Sequence, residues 1–295
     1  MVEHAADTDI IIGWVVPKGI LELAVNLKLL CWLHAGCDEL DYKLLKSRNV
    51  KLTNISGVNN TAVAEHAMGL MLGLAKRILL KHRSVVEGFA MFPLYEDGMR
   101  AGMLDGRSLA IIGHGSIGSE IARRAKAFDM RIMGVRLHPD RPTKHADEVY
   151  GTDQLHEVLN KADYVVLATP ITRETDHFFG EAEFRAMQKH AYLINIARGN
   201  LIQEMPLYEA LTEKRIAGFG SDVWYNYENS FPASYHFPVP SRTGVHKLDN
   251  VLCSGDQGAN ADDVLERVTV SALKSLGEFL NDQPLTKLVD LDLGY

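Results

Sequence analysis

At 295 residues, 46% hydrophobic and 23% charged, the chain has the composition of a soluble globular protein and the length for two cores. A net charge of −7 with no basic block argues against nucleic acid as a main partner, and no apolar run reaches membrane-spanning length. The opening residues lack the basic start and apolar centre of a secretory leader. Cys31, Cys37 and Cys253 fit neither disulfide nor metal spacing, so a reducing, cytoplasmic setting is expected.

In chain order, Asp9–Trp14 and Leu27–Leu33 read as buried strands, Leu40–Ser47 as a short helix and Val50–Asn54 as a weak strand, together a small α/β domain. Ala62–His82 carries apolar residues at helical spacing on more than one side, which suits a long helix at a domain or subunit interface. From Gly106 to Asp256 strands and helices alternate. The strands fall near Leu109–Ile112, Ile132–Val135, Tyr164–Leu167, Ala191–Asn195, Ala217–Asp222 and Val251–Cys253, and their continuous apolar runs predict a parallel sheet covered on both faces. Ala261–Asn281 reads as an amphipathic helix, followed by an extended tail.

The most informative stretch is Leu109-Ala-Ile-Ile-Gly-His-Gly-Ser-Ile-Gly118, a strand breaking into Gly113-x-Gly115-x-x-Gly118, with a helix expected over Glu120–Phe128. Gly113 permits the turn, Gly115 lets the backbone approach a pyrophosphate, and Gly118 lets helix and strand pack closely. A dinucleotide would rest on main-chain N–H groups of Ser116 and Ile117, with His114 a further cofactor-binding candidate in the turn and the helix dipole adding positive charge. The next strand ends at Arg136 rather than an acidic residue, and His138, Arg141 and Lys144 follow. A guanidinium cannot accept from a ribose diol but grips a 2′-phosphate, so NADP(H) is favoured while NAD(H) stays usable.

Several ordered motifs then resemble the D-isomer-specific 2-hydroxyacid dehydrogenases, the group of glyoxylate/hydroxypyruvate reductases and D-lactate-type dehydrogenases. They are Leu33-His-Ala-Gly-Cys-Asp38, Gly57-Val-Asn-Asn-Thr-Ala-Val-Ala-Glu-His66, Ile194-Asn-Ile-Ala-Arg-Gly199, Ser221-Asp-Val-Trp224 and the ending Leu288-Val-Asp-Leu-Asp-Leu-Gly-Tyr295. The resemblance implies a Rossmann doubly wound domain (62–261) inserted into a smaller flavodoxin-like domain (1–61 and 262–295), with nicotinamide and substrate in the cleft between them. The smaller domain lacks the first strand and helix usual in the family, which would leave a sheet edge exposed. The resemblance also implies reversible reduction of a small 2-oxo acid and a homodimer. Arg198 would bind the carboxylate and polarise the carbonyl, and the N–H groups of Ala35 and Gly36 would complete the carboxylate grip. Asp222 would meet the nicotinamide carboxamide, and Thr169, Pro170, Ile196, Ala197 and Gly258 would line the cofactor.

One departure falls on the chemistry. Where the family carries a catalytic histidine, the run Val251-Leu-Cys-Ser-Gly-Asp-Gln-Gly258 puts Asp256. The partner carboxylate falls on Tyr227, with Glu228 one position on. An ordinary aspartate, pKa ~3.9, is only about 0.1% protonated at pH 7, so its use as an acid costs roughly 4 kcal/mol. Four readings stand. Asp256 has a raised pKa and works with Glu228, or another group such as His34 or Tyr227 supplies the proton. Alternatively the substrate is a cationic imine, or the chain is a dinucleotide-binding sensor. His66 is read as structural, His246 as solvated, and the aromatic, proline-rich tract Tyr225–Ser241 as a pocket-shaping or interface segment.

Overall fold

The computed structural model describes residues 4–17, 19–88, 100–225 and 239–294. The chain opens with β1 (Ile10–Gly13), α1 (Ile20–Leu23), β2 (Leu29–Trp32), α2 (Tyr42–Ser47) and β3 (Lys51–Thr53), followed by α3 (Asn60–Ala75) and α4 (Ile78–Val86). Then come β4 (Ser108–Ile112), α5 (Ser116–Lys126), β5 (Arg131–Val135), β6 (Glu148–Tyr150), α6 (Leu155–Leu159), β7 (Tyr164–Leu167) and α7 (Glu181–Ala186). The series closes with β8 (Tyr192–Asn195), α8 (Glu204–Thr212), β9 (Gly218–Ser221), β10 (Val251–Cys253) and α9 (Val264–Leu280). The described residues form two compact units, one up to Asn60 and from Ala259 onward, the other from Thr61 to Gly258. None of the described helices is long and apolar enough to cross a membrane.

The first unit is built on a parallel sheet in the order β1-β2-β3. Leu30, Trp32, Leu45 and Leu52 form its core with Val289 from the C-terminal segment, whose N–H donates to the Leu52 carbonyl at 2.8 Å. Val268 and Ala272 of α9 pack on Leu33 and Ile55. This helix starts three residues later than its apolar pattern suggests, because Asp263 takes a left-handed φ of 63°.

The second unit holds a seven-stranded parallel sheet ordered β10-β9-β8-β7-β4-β5-β6. Chain direction across the sheet reverses between β4 and β7, the position where open α/β sheets bind ligands beyond their strands' carboxyl ends. Three local expectations are corrected. β6 was not legible: it is an edge strand of three residues, half-buried at Glu148 and Val149 and buried at Tyr150. The long helix expected over 62–82 is two helices, since Arg77 adopts φ 53° and the Ala75 carbonyl accepts from Gly102 N–H at 2.7 Å instead of continuing the ladder. Finally, α5 begins at Ser116, because tertiary packing of the glycine-rich turn overrides the low helix propensity of Gly118.

α3 is apolar because it lies on the sheet. Leu70 and Leu74 cover Gly220 of β9 so closely that an added Cβ there would sit 3.1 Å from Leu74 Cδ1. This contact seats the C-terminal half of α3 on β9, while His66, one turn before Leu70, is tied to Ser254 beyond β10.

Candidate active site

At the end of β4, Gly113 has φ 93°, and a Cβ there would lie 2.5 Å from Thr169 N, so the turn after β4 rests directly on the segment leaving β7. Gly115 has nothing within 4 Å of where its Cβ would be, and no side chain caps the first turn of α5. Main-chain N–H groups beside an open face and a helix N-terminus make a cradle that fits a pyrophosphate. Gly113→Ala would force a side chain into a left-handed backbone against a peptide group. We expect dinucleotide affinity to fall at least about tenfold, read by fluorescence titration with NADPH and NADH, the αL strain alone being on the order of 1–2 kcal/mol.

His114 is buried (1% exposed) under this turn, with Nδ1 2.8 Å from Thr143 Oγ1 and Nε2 without a partner among the described residues. Burial lowers its pKa, and the charges of Arg136 and His145 lower it further, so the ring is neutral. The contact ties the turn to the basic loop after β5, where Arg136 is half-buried and donates to the Pro142 carbonyl at 3.3 Å. Thr169 abuts Gly113, and the Pro170 carbonyl accepts from Thr175 at 2.8 Å.

A second cluster gathers at the ends of β8, β9 and β10, all within the second unit. Asn195 closes β8, donating through Nδ2 to the Arg198 carbonyl (2.8 Å) and accepting from Ala197 N–H at Oδ1 (3.1 Å). Ile196 is buried beneath this bend, and Arg198 adopts an extended backbone with Nη1 on the Ala197 carbonyl at 2.9 Å. Asp222 follows β9 and is 5% exposed. Its Oδ1 accepts from Ser254 Oγ (2.7 Å) and Gln257 N–H (3.0 Å), and its Oδ2 from Gly258 N–H (2.8 Å). His66 Nε2 reaches Ser254 Oγ at 2.7 Å and Asp222 Oδ1 at 3.3 Å. Burial alone would raise the Asp222 pKa, but these hydrogen bonds, led by His66 and Ser254, pull it to about 2.

Asp222 is therefore the anchor of the 254–258 loop, with both oxygens engaged by that loop and His66. Gly258 spends its N–H on the same anchor. Asp256 sits at the loop's tip with φ 55°, its N–H on the Asp222 carbonyl at 2.6 Å. Its carboxylate accepts no hydrogen bond from a described residue. The side chain keeps accessible surface, yet surrounding protein strips enough hydration to push its pKa up; the Asp222 charge adds to this and Arg198 opposes it.

The remaining sequence candidates have their described contacts elsewhere in the chain. His34, Ala35 and Gly36 belong to the first unit. There His34 Nε2 meets the Trp14 carbonyl at 2.9 Å and stacks obliquely on Trp32, while the Ala35 and Gly36 carbonyls accept from Asn54 and Trp32. Tyr227 and Glu228 lie outside the described residues, as does most of the 225–241 tract. His246 is not the solvated side chain expected: it is half-buried, edge-on to Trp224, with a buried Nδ1. His66, read as structural, takes part in the polar cluster through Ser254 and Asp222. Its only sequence signal was its place six residues into a helix whose partner surface could not be read.

The family described as "D-isomer specific 2-hydroxyacid dehydrogenase, NAD binding domain" matches residues 68–255. A glyoxylate reductase of Pyrococcus furiosus is 33% identical over 310 residues, covering 99% of this chain and 85% of that protein. A D-3-phosphoglycerate dehydrogenase of Methanocaldococcus jannaschii is 28% identical over 99% of this chain, which spans only 53% of that longer relative. Among solved structures, a D-lactate dehydrogenase from Aquifex aeolicus complexed with NAD and lactic acid superposes with a TM-score of 0.84 at 25% identity, covering 98% of this chain and 89% of that one. Matched by the family's model over residues 68–255 and 33% identical to the Pyrococcus furiosus glyoxylate reductase, the chain belongs to the D-isomer-specific 2-hydroxyacid dehydrogenase family.

Proposed function

We propose that this chain catalyses reversible, nicotinamide-dependent reduction of a small 2-oxo acid, of the glyoxylate or hydroxypyruvate class, to the D-2-hydroxy acid. The observation that carries the reading is the placement of a guanidinium (Arg198) after β8 and a carboxyl of raised pKa (Asp256) after β10, on either side of β9, with Arg198 acting electrostatically on Asp256. The nicotinamide, when bound, supplies the hydride. Arg198 pairs with the substrate carboxylate and stabilises negative charge as it grows on the carbonyl oxygen. Asp256, whose pKa is raised by poor hydration and the Asp222 charge, gives a proton to that oxygen and recovers it in the reverse direction. Ala35 and Gly36 complete the carboxylate grip, with His34 and Glu228 as auxiliary proton carriers. The N–H groups of Gly113, His114 and Gly115 are taken by main-chain carbonyls, so those at the start of α5, from Ser116 to Gly118, hold the pyrophosphate, and Thr169, Ile196 and Ala197 line the cofactor. Arg136 favours NADP(H) over NAD(H). A cytoplasmic homodimer completes the reading.

A second reading has an observation of its own. Among the described residues nothing hydrogen-bonds the Asp256 carboxylate, so in its ionised form it is available to stabilise a cationic imine, which needs no acid. The test is oxidation of NADPH and NADH by wild type, Asp256→Asn and Asp256→His with a panel of 2-oxo acids, each with and without an amine. We expect wild-type turnover without amine, reduced about a hundredfold in Asp256→Asn, at the lower end of general-acid contributions. Turnover only with amine would select the imine. Tight NADPH binding with no turnover in wild type, and activity appearing in Asp256→His, would make the chain a sensor.

A further inference from the structure

The acid/base candidate of this site is an aspartate, yet an imidazole stands one hydrogen bond behind the loop that carries it. His66 comes from α3 and reaches Ser254 Oγ at 2.7 Å and Asp222 Oδ1 at 3.3 Å. Ser254 donates its single hydroxyl proton to Asp222 at 2.7 Å, so the His66 Nε2 that meets it carries a hydrogen. The imidazole also packs against Gly258, where an added Cβ would come within 3.2 Å of the ring. Asp222 in turn holds the Asp256, Gln257 and Gly258 amides. We propose that His66 is a positioning residue for Asp256: it fixes the 254–258 loop through Ser254 and Asp222, and its charge state decides how much of the Asp222 negative charge Asp256 faces. The reference to catalysis rests on the proposed dehydrogenase reading; the coupling itself does not.

The sign follows from the charges around the pair. From β9, Asp222 repels a charge on Asp256; from β8, Arg198 attracts it. On α3 itself, Glu65 is ion-paired to Arg124 of α5 at 2.9 Å and is thereby offset. Asp222 holds the His66 pKa above its usual value, through the hydrogen bond first, against some loss from burial. While His66 is cationic, the His66–Asp222 pair is close to neutral and Asp256 ionises more easily. Once His66 loses its proton, the uncompensated Asp222 charge favours the protonated, proton-donating form of Asp256. His66 therefore raises the donor fraction of Asp256 as the pH climbs, opposing the loss that an isolated aspartate would suffer.

The experiment is a carbon-detected titration of the side-chain carboxyls in the whole protein, with the Asp256 resonance assigned by its loss in Asp256→Asn. It requires no turnover, so a chain inactive on every 2-oxo acid would sink the dehydrogenase reading and leave this one standing. In wild type the Asp256 signal should show a second inflection at the pH where the His66 ring titrates. In His66→Gln, which keeps an N–H for Ser254 but removes the charge, the Asp256 midpoint should rise. In His66→Lys, which restores a fixed cation, it should return to the wild-type value or below. A rise in both variants would make His66 merely structural. An unchanged midpoint in folded His66→Gln, or a wild-type curve without the second inflection, would overturn the proposal even if neither variant folds. In an active enzyme the descending limb of the kcat–pH profile should move to higher pH in His66→Gln while KM stays within about twofold, because the substrate's carboxylate grip is untouched.

Discussion

Replacing Arg198 with glutamine is expected to lower kcat/KM for a 2-oxo acid by at least about a thousandfold, the largest activity loss of any single change at this site. Two effects combine: a charge-assisted pair with the substrate carboxylate, about 1.5–3 kcal/mol, and a donor aimed at the growing oxyanion, about 2.7–4 kcal/mol. They share one side chain and do not simply add, so the expectation takes the two lower values together, about a thousandfold, and not the sum of the upper ones. The loss should appear in both kcat and KM, because the ground-state carboxylate and the transition-state oxygen each lose a partner. The fold should tolerate the change. Arg198 is held through its backbone by Asn195 Nδ2 at 2.8 Å, and that bond does not involve the guanidinium. Arg198→Lys separates charge from geometry: a lysine keeps the cation but not the planar fork, and should recover only a part of the rate. Steady-state kinetics on both variants, with the melting temperature as a folding control, checks the claim. An unchanged KM together with an unchanged kcat would remove Arg198 from the site.

The expectations that held rest on signals local to a few residues. A buried strand followed by Gly113, Gly115 and Gly118 and then a helix can be read directly, because each glycine answers a steric demand of the same turn. The parallel sheet was legible for a similar reason: strands such as Tyr164–Leu167 are buried along their whole length, which leaves continuous apolar runs in the sequence. What escaped depends on partners distant in the chain. Three-residue β6 has too few positions to show a period, and the break at Arg77 is set by Gly102, which takes the Ala75 carbonyl. Asp222 could be assigned to the nucleotide end by its motif, but not as the acceptor of three hydrogen bonds, because the donors are two amides and a hydroxyl of residues 254–258. His66 illustrates the same limit most sharply. Its helix was readable, yet only the packing of Leu70 and Leu74 on Gly220 brings its ring to Ser254.

The stability of the second unit should depend on Asp222 more than on any other polar side chain at the site. Asp222→Asn keeps the shape but turns one acceptor oxygen into a donor. On either side of the amide, an N–H or O–H of the 254–258 loop then faces another donor, and His66 loses its counter-charge. Breaking a buried, charged network by changing one partner costs roughly 3–5 kcal/mol, which for a unit of this size is a fall in melting temperature of about 10 °C. The pH dependence gives a second, independent reading. The Asp222 pKa is depressed from 3.8 to about 2, so its contribution is fully present above the unfolded value and is lost as pH falls through the folded one. That difference corresponds to roughly 2.5 kcal/mol, all of it disappearing between about pH 4 and pH 2. His66 acts in the opposite sense: its pKa is raised on folding, so its contribution is present at acid pH and fades as pH rises through the folded value. Urea unfolding of wild type between pH 2 and 8 should therefore show stability falling at both ends, while Asp222→Asn starts lower and lacks much of the slope below pH 4. Parallel acid limbs in the two proteins would mean that the carboxylate holding the Asp256 loop is not the group whose protonation releases it.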